Sequence, residues 1–301
     1  MASWITLLLV APAILVPVAL LVGFAACDLI YKLNRDDAPA VIESATGKDV
    51  TTITVDWMKS GGSSRHMLDR TDPDGVTTSI ELFGTPFDDT GLKPGKTYSY
   101  VVRGLDGSGG TKTTSDRVDG MTLPVTSIYA KALTEPSAGW ERYTVVQRIE
   151  AASFTPGVAG SHVRITLQAA TSATVDRVYI SQADPTKKPY DSAGDLTPVY
   201  DIATQLQPFT VLASDPDPPP LPIVAYTVNQ FQALIIAIDF NVDVQSAIAS
   251  ASNVPASEAS AYYLVPPQPE AAVAVRSPNY SGGVDAMGNS FVLFVANVEI
   301  G

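Results

Sequence analysis

The sequence predicts a mainly β chain in three parts, a hydrophobic N-terminal helix followed by two β-sandwiches. Three observations carry this. Ile5 to Ala26 holds no charged side chain. Beyond residue 38, apolar and polar residues alternate in short runs, the period of strands with one buried face. Glycine, proline and aspartate punctuate those runs, and no apolar repeat of helical period persists over any length. With 301 residues and 46% of them hydrophobic, the chain can build a core in each of two domains. The expected divisions are 1–37 for helix and connector, 38–124 for the first sandwich and 125–301 for the second.

As a helix rising about 1.5 Å per residue, Ile5 to Ala26 would be roughly 33 Å long, enough to cross the hydrocarbon core of a bilayer. Ile5, Leu8, Leu15, Leu20 and Phe24 are the expected anchoring side chains, and Pro12 and Pro17 would kink the helix between them. Three surroundings compete. One is the interior of a large assembly, since any apolar environment satisfies these side chains. Another is a membrane, contacted through residues 5–26. The third is a processed precursor, because Phe24-Ala25-Ala26-Cys27 resembles a bacterial lipobox in which Cys27 would be lipidated. The missing basic residues before Ile5 weigh against a secretory signal. The assembly reading is preferred, and it implies a homo-oligomer, because an exposed apolar helix needs partners.

Charge narrows the partners. The formal net charge is -12, and Pro189 to Val275 contains no lysine or arginine, a surface that repels phosphate backbones and argues against nucleic acid. The single cysteine, Cys27, leaves no internal disulfide.

In the first sandwich, Thr51 to Trp57 alternates so that Ile53, Val55 and Trp57 share a face. Asp72-Pro73-Asp74-Gly75 reads as a type I turn, followed by a strand from Val76 to Phe83. Leu92-Lys93-Pro94-Gly95-Lys96-Thr97-Tyr98 then leads into the alternating Tyr100 and Val102, and a last strand region spans Thr111 to Thr122. With Trp57 in an early strand, this stretch resembles a fibronectin type III domain. The resemblance implies that Tyr98 packs its ring inward and returns its hydroxyl to the backbone. It implies little about function, because such domains serve as spacers and interaction modules on unrelated proteins. Asp88-Asp89 and Asp72 with Asp74 read as turn-capping carboxylates rather than calcium ligands. His66 reads as an exposed or half-buried strand residue.

In the second sandwich, strands are expected at Trp140 to Val146, at His162 to Ala169 with Val163, Ile165 and Leu167 inward, and at Val175 to Ser181. Phe231 to Phe240 is too short to span a membrane as a helix and reads as a central core strand. Ser290 to Ile300 reads as one closing strand. The pattern suits a jelly-roll-like sandwich and loosely resembles the β-sandwiches of carbohydrate-binding modules and of bacteriophage tail and spike proteins. Two proline-rich loops, Asp184 to Pro198 and Ala213 to Pro222, read as rigid connectors or recognition loops. Tyr190 in the first loop, the Tyr262-Tyr263 pair and Tyr280 are candidate flat faces for sugar rings, with Tyr190, Tyr262 and Tyr280 as the proposed glycan contacts, although tyrosines in alternating strands serve more often in a core or an interface.

The sequence offers no catalytic constellation. His66 and His162 fall in different expected domains, no phosphate-cradling glycine loop opens a helix, and Gly-x-Ser-x-Gly is absent. Asp215 with Asp217 is the nearest thing to a carboxylate pair. No catalytic residue, metal ligand or cofactor is therefore assigned. The expected function is a non-catalytic virion structural protein, a phage tail-tip, baseplate or spike component located in the virion. Its partners would be other subunits and copies of itself, with a trimer suggested by the phage analogy, and a host-surface glycan. The alternative is a membrane-anchored bacterial surface protein or lipoprotein that binds glycans through its second sandwich.

Overall fold

A computed structural model describes residues 38–212, 220–265, 267–283 and 287–301. The helix expected at Ile5 to Ala26, its anchors Ile5, Leu8, Leu15, Leu20 and Phe24, and Cys27 lie outside the described residues, as does most of the loop from Ala213 to Pro222. Among the described residues the fold is mainly β, and no helix is long and apolar enough to cross a membrane. The chain divides into two compact units, one ending at Leu123 and the other spanning Pro124–Gly301.

The first unit contains β1 (Val41–Gly47), β2 (Ile53–Met58), β3 (Arg65–Thr71), β4 (Thr77–Leu82), β5 (Phe87–Asp89), β6 (Thr97–Leu105), β7 (Thr111–Thr114) and β8 (Val118–Met121). One sheet has the order β1-β2-β5 and the other β4-β3-β6-β7, with β8 also paired to β6. Ile53, Val55 and Trp57 from one sheet meet Leu68, Tyr100 and Val102 from the other in a single core. The alternation expected for β2 is observed, and its outward residues find polar partners: Thr54 donates to Asp88 at 2.6 Å, while Asp56 accepts from Thr85 at 2.9 Å. This two-sheet order makes the unit a fibronectin type III-like β-sandwich.

Its corner is built as the sequence motif implied. Tyr98 is buried, and its hydroxyl accepts a hydrogen bond from the Lys93 backbone N–H at 2.8 Å. Replacing Tyr98 with phenylalanine keeps the ring and leaves that N–H without its acceptor. The expected cost is about 1 kcal/mol of stability, read as a lowered denaturation midpoint with an unchanged urea slope. His66 departs from expectation. It is buried against Trp57, with ring centroids 4.9 Å apart, and its Nε2 accepts from the Ser60 N–H at 3.1 Å. The acidic residues serve the fold. Asp72 accepts from the N–H groups of Asp74 and Val76, Asp88 pairs with Lys48, and buried Asp89 accepts from Arg70 and Tyr100 at 2.9 and 2.8 Å.

The second unit contains β9 (Thr126–Ala130), β10 (Glu135–Ala138), β11 (Thr144–Ile149), β12 (His162–Leu167), β13 (Ala169–Gln182), β14 (Thr197–Asp201) and β15 (Phe209–Leu212). It continues with β16 (Val224–Ala225), β17 (Leu234–Phe240), β18 (Ala247–Pro255), β19 (Ala259–Leu264), β20 (Tyr280–Gly282), β21 (Asn289–Leu293) and β22 (Val295–Ile300). The large sheet runs β10-β18-β13-β17-β11-β19-β20, with β14 and β15 on β13 and β21 on β18; the small sheet runs β16-β12-β22-β9. The chain crosses repeatedly between them, from β11 to β12 and back to β13, and again from β16 to β17 and from β21 to β22.

Val163, Ile165 and Leu167 of β12 face inward as their alternation implies, and they join β17 and β22 in the main core between the sheets. β17 does not alternate at all; every residue of it is buried. Leu234, Ile236 and Ile238 face the small sheet, whereas Ile235 and Ala237 belong to a second apolar cluster on the opposite face. A strand covered on both faces reads as a continuous apolar run, which is why this segment stood out.

Three strand expectations shift. Phe231 is 95% exposed, in a turn where Asn229 accepts from its N–H at 3.0 Å, so the central strand starts at Leu234. Trp140 likewise precedes its strand, which runs over Thr144–Ile149. The single closing strand is two strands in different sheets. Phe294, between them, has φ 67 and is fully buried against Phe240, with ring centroids 5.4 Å apart. Its N–H donates to Ala249 of the large sheet and its carbonyl accepts from Gln168, so the chain turns from one sheet to the other around a buried ring.

Candidate functional site

The second cover of β17 is made by two loops, Ala183 to Asp195 and Gln268 to Asn279. The first is tied to its base by Asp184, whose carboxylate accepts from the Thr186 hydroxyl and N–H and pairs with Lys187. These contacts hold the Asp184 carboxyl down at about 2. The loop then folds back over the sheet, burying Tyr190, Asp191 and Ser192. In the second loop Arg276 is only 2% exposed. Its guanidinium donates to the carbonyls of Tyr190 and Ala271, and its backbone N–H donates to Asp191 at 2.8 Å. Lys188 reaches the Arg276 carbonyl at 2.9 Å. The two loops are thus bonded to one another as well as to the sheet.

Asp239 of β17 holds the second loop down. Its Oδ1 accepts from the Thr144 hydroxyl at 2.5 Å and from the N–H groups of Glu270 and Ala271 at 3.0 and 2.9 Å. Its Oδ2 lies 3.4 Å from Arg177. Burial raises the Asp239 carboxyl above its ordinary value despite these donors, and burial likewise lowers the Arg276 guanidinium from its own.

The structure brings the tyrosines named from the sequence together. Tyr190 stacks on Tyr280 with centroids 4.5 Å apart and 23° between planes, and it meets Tyr262 at 5.3 Å. Tyr190 and Tyr262 are 7% and 9% exposed, so their rings are spent on one another and on Ile235 and Ala237 beneath them. Burial raises the hydroxyls of Tyr190 and Tyr280 above the ordinary phenol value. This cluster fastens the loops over β17.

An open groove lies elsewhere on the unit, where β18 meets β21. The two strands pair at Ala251 with Val292 and again at Val254 with Ser290, so Ser252 and Asn253 bulge opposite Phe291 alone. Such a bulge re-aims side chains out of the ladder. Here it presents the Ser252 hydroxyl and the Asn253 amide beside the Phe291 ring, with Asn253 in the left-handed region at φ 56. The groove has two lobes of about 360 Å³ each that share Ser252, Gly282 and Phe291. Trp140 and Tyr263 complete one lobe, ring centroids 5.7 Å apart and near perpendicular. Trp140 is held by its indole N–H, which donates to Ser137 at 3.0 Å, and the Ser252 hydroxyl donates to Glu135 at 2.7 Å. Gly282 has φ 98, and a Cβ there would stand 2.5 Å from the Ala261 carbonyl and 3.3 Å from the Phe291 ring. Only glycine lets β20 close this side of the groove.

Sequence reading named Tyr263 as one of an adjacent pair but missed Phe291 and the role of Trp140. The usable signal was alternation: neighbours on a strand point to opposite faces, so either Tyr262 or Tyr263 had to face away from the loop cover.

No protein-family model matches the sequence, and no curated protein matches it. Among solved structures, a segment of two fibronectin type III domains from chicken tenascin is similar at 12% identity and a TM-score of 0.25, over 84% of this chain and 96% of that one. A cycloalternan-degrading enzyme from Trueperella pyogenes is similar at 11% identity and 0.23, over 67% of this chain and 31% of the enzyme. An α-L-rhamnosidase from Dictyoglumus thermophilum is similar at 11% identity and 0.23, over 87% of this chain and 29% of the enzyme. Likenesses this distant carry no argument about activity. The class that the fold itself defines is a mainly β protein of two sandwich units, the first of them fibronectin type III-like.

Proposed function

We propose that the chain is a non-catalytic structural component of a virion, of the tail-tip, baseplate or spike kind, held in the particle by the apolar stretch Ile5 to Ala26. The first sandwich serves as a spacer, and the jelly-roll-like second unit packs against neighbours or touches the host surface. The observation that carries this reading is the pairing of one long uncharged segment with strand-built units whose buried acids and histidine are spent on internal bonds, as with Asp89, Asp239 and His66. Copies of the chain and other subunits are its partners, because an apolar segment of that length must be covered.

A second reading is a membrane-anchored bacterial surface protein or lipoprotein that binds glycans. The aromatic groove beside Phe291 favours it. Intact mass of the native protein, recorded with the fraction that yields it, separates the two. A full-chain mass from a detergent-free particle is expected. A mass beginning at an acylated Cys27, from a membrane fraction, would replace the first reading with the second.

A further inference from the structure

We propose that the groove beside the β18–β21 bulge binds a neutral oligosaccharide, whose apolar ring faces lie on Phe291, Trp140 and Tyr263. The inference rests on taking the second unit as a contact surface, which both readings above share.

The lining decides the ligand class. Aromatic rings supply wide, rigid, weakly polar faces that suit the C–H surface of a sugar ring. Around them stand the hydroxyls of Ser137, Ser250 and Ser252 and the amides of Asn253 and Asn289, groups that both donate and accept. A neutral sugar presents the same mixed pattern. Neither lobe is lined by lysine, arginine or histidine, and Glu135 is the charged residue present. A phosphate, sulfate or uronate would therefore meet a carboxylate and no cation. The lobes are each within the size range of small-ligand clefts and adjoin at Ser252, Gly282 and Phe291, so together they offer room for more than one sugar ring.

The site is built by the fold. The bulge that exposes Ser252 and Asn253 also removes them from the ladder with β21, and both line the groove, where the Asn253 amide donates to the Ser252 hydroxyl at 3.3 Å. Trp140 is braced by Ser137 and by edge contact with Tyr263 and Tyr143, so its face is oriented before any ligand arrives.

The test uses the full chain with cellotetraose, maltotetraose and N-acetylchitotetraose as neutral probes, and a heparin-derived hexasaccharide and an extended uncharged peptide as controls. Binding is followed by saturation-transfer NMR and titration calorimetry. At least one neutral oligosaccharide is expected to bind with a sub-millimolar Kd, and neither control is. Ser252→Trp fills the groove from an exposed position and should weaken binding at least tenfold while the melting temperature stays unchanged; Trp140→Ala should weaken it similarly. No binding by any neutral probe, binding that survives S252W, or tighter binding of the peptide or the anionic sugar would overturn the proposal. These results are independent of the mass and fractionation outcome, so failure of either proposal leaves the other standing.

Discussion

Replacing Asp239 with leucine is expected to destabilise the second unit by about 3 kcal/mol and to lift the Gln268 to Asn279 loop from the sheet. The shape of the core would be kept, but the N–H of Ala271 would lose its acceptor inside the protein, and Arg177 would lose one of its two carboxylates, keeping Asp201 at 3.6 Å. The N–H of Glu270 also reaches the Thr144 hydroxyl at 2.6 Å, so the loop would retain one partial tether. Faster amide exchange at Glu270 and Ala271, spreading to Tyr190 through Arg276, is the measurement. Asp239→Asn separates geometry from charge. All three short contacts are to Oδ1, which an asparagine can reproduce, while its amide replaces the Oδ2 that faces Arg177 at long range. The sign of the pH effect follows from burial. Asp239 has a higher pKa in the folded chain than the ordinary 3.8, so the folded state holds the proton more tightly. The cost of keeping this carboxylate ionised is absent below the unfolded pKa and is fully present once the pH has risen through the raised folded one. Asp239→Asn should therefore compare best with the natural protein at neutral pH, and that advantage should shrink as the pH falls toward 3.8. Parallel urea titrations across that range would show it; a difference that does not change with pH would mean that Asp239 does not titrate abnormally.

What was legible in the sequence was whatever one strand can encode by itself. The period-two run ending at Trp57 placed three side chains in the core, the Leu92 to Tyr98 motif specified a corner, and the apolar run of β17, interrupted only by Asp239, announced a strand in the centre of the core. What was not legible depended on partners far away in the chain. Phe291 to Ala296 is apolar throughout, and nothing local marks Phe294 as the residue at which the chain leaves one sheet for the other. Its left-handed backbone carries a large side chain because Phe240 and the core cover the ring. Tyr190, Tyr262 and Tyr280 were grouped by chemistry and do meet, yet exposure could not be read from residue type, and the rings turn inward. The groove was hidden for the same reason: Trp140, Tyr263 and Phe291 come from three separate segments, and the bulge that joins them is a mismatch in register between β18 and β21.

The fibronectin-like unit should be most sensitive at Trp57, where alanine is expected to cost about 4 kcal/mol. The ring is 1% exposed, its indole N–H donates to the Gly84 carbonyl at 3.1 Å, and it packs against His66 on the facing sheet. Three losses therefore coincide: apolar burial, a cavity between two sheets that cannot both move inward, and a carbonyl without its donor. Since small domains are stable by about 5–15 kcal/mol in total, the variant unit would lose roughly a quarter to four fifths of its stability. Amides of β2, β3 and β6 should exchange far faster, while those of β13 and β17 in the second unit report whether the damage stays local. Trp57→Phe restores an aromatic ring but not the bond to Gly84, and should recover more than half of the loss if packing between the sheets dominates. If phenylalanine recovered little, the indole N–H and the loop it holds at Gly84 would be the larger part of what Trp57 contributes, and the unit would owe its stability less to its core than to the tether at its edge.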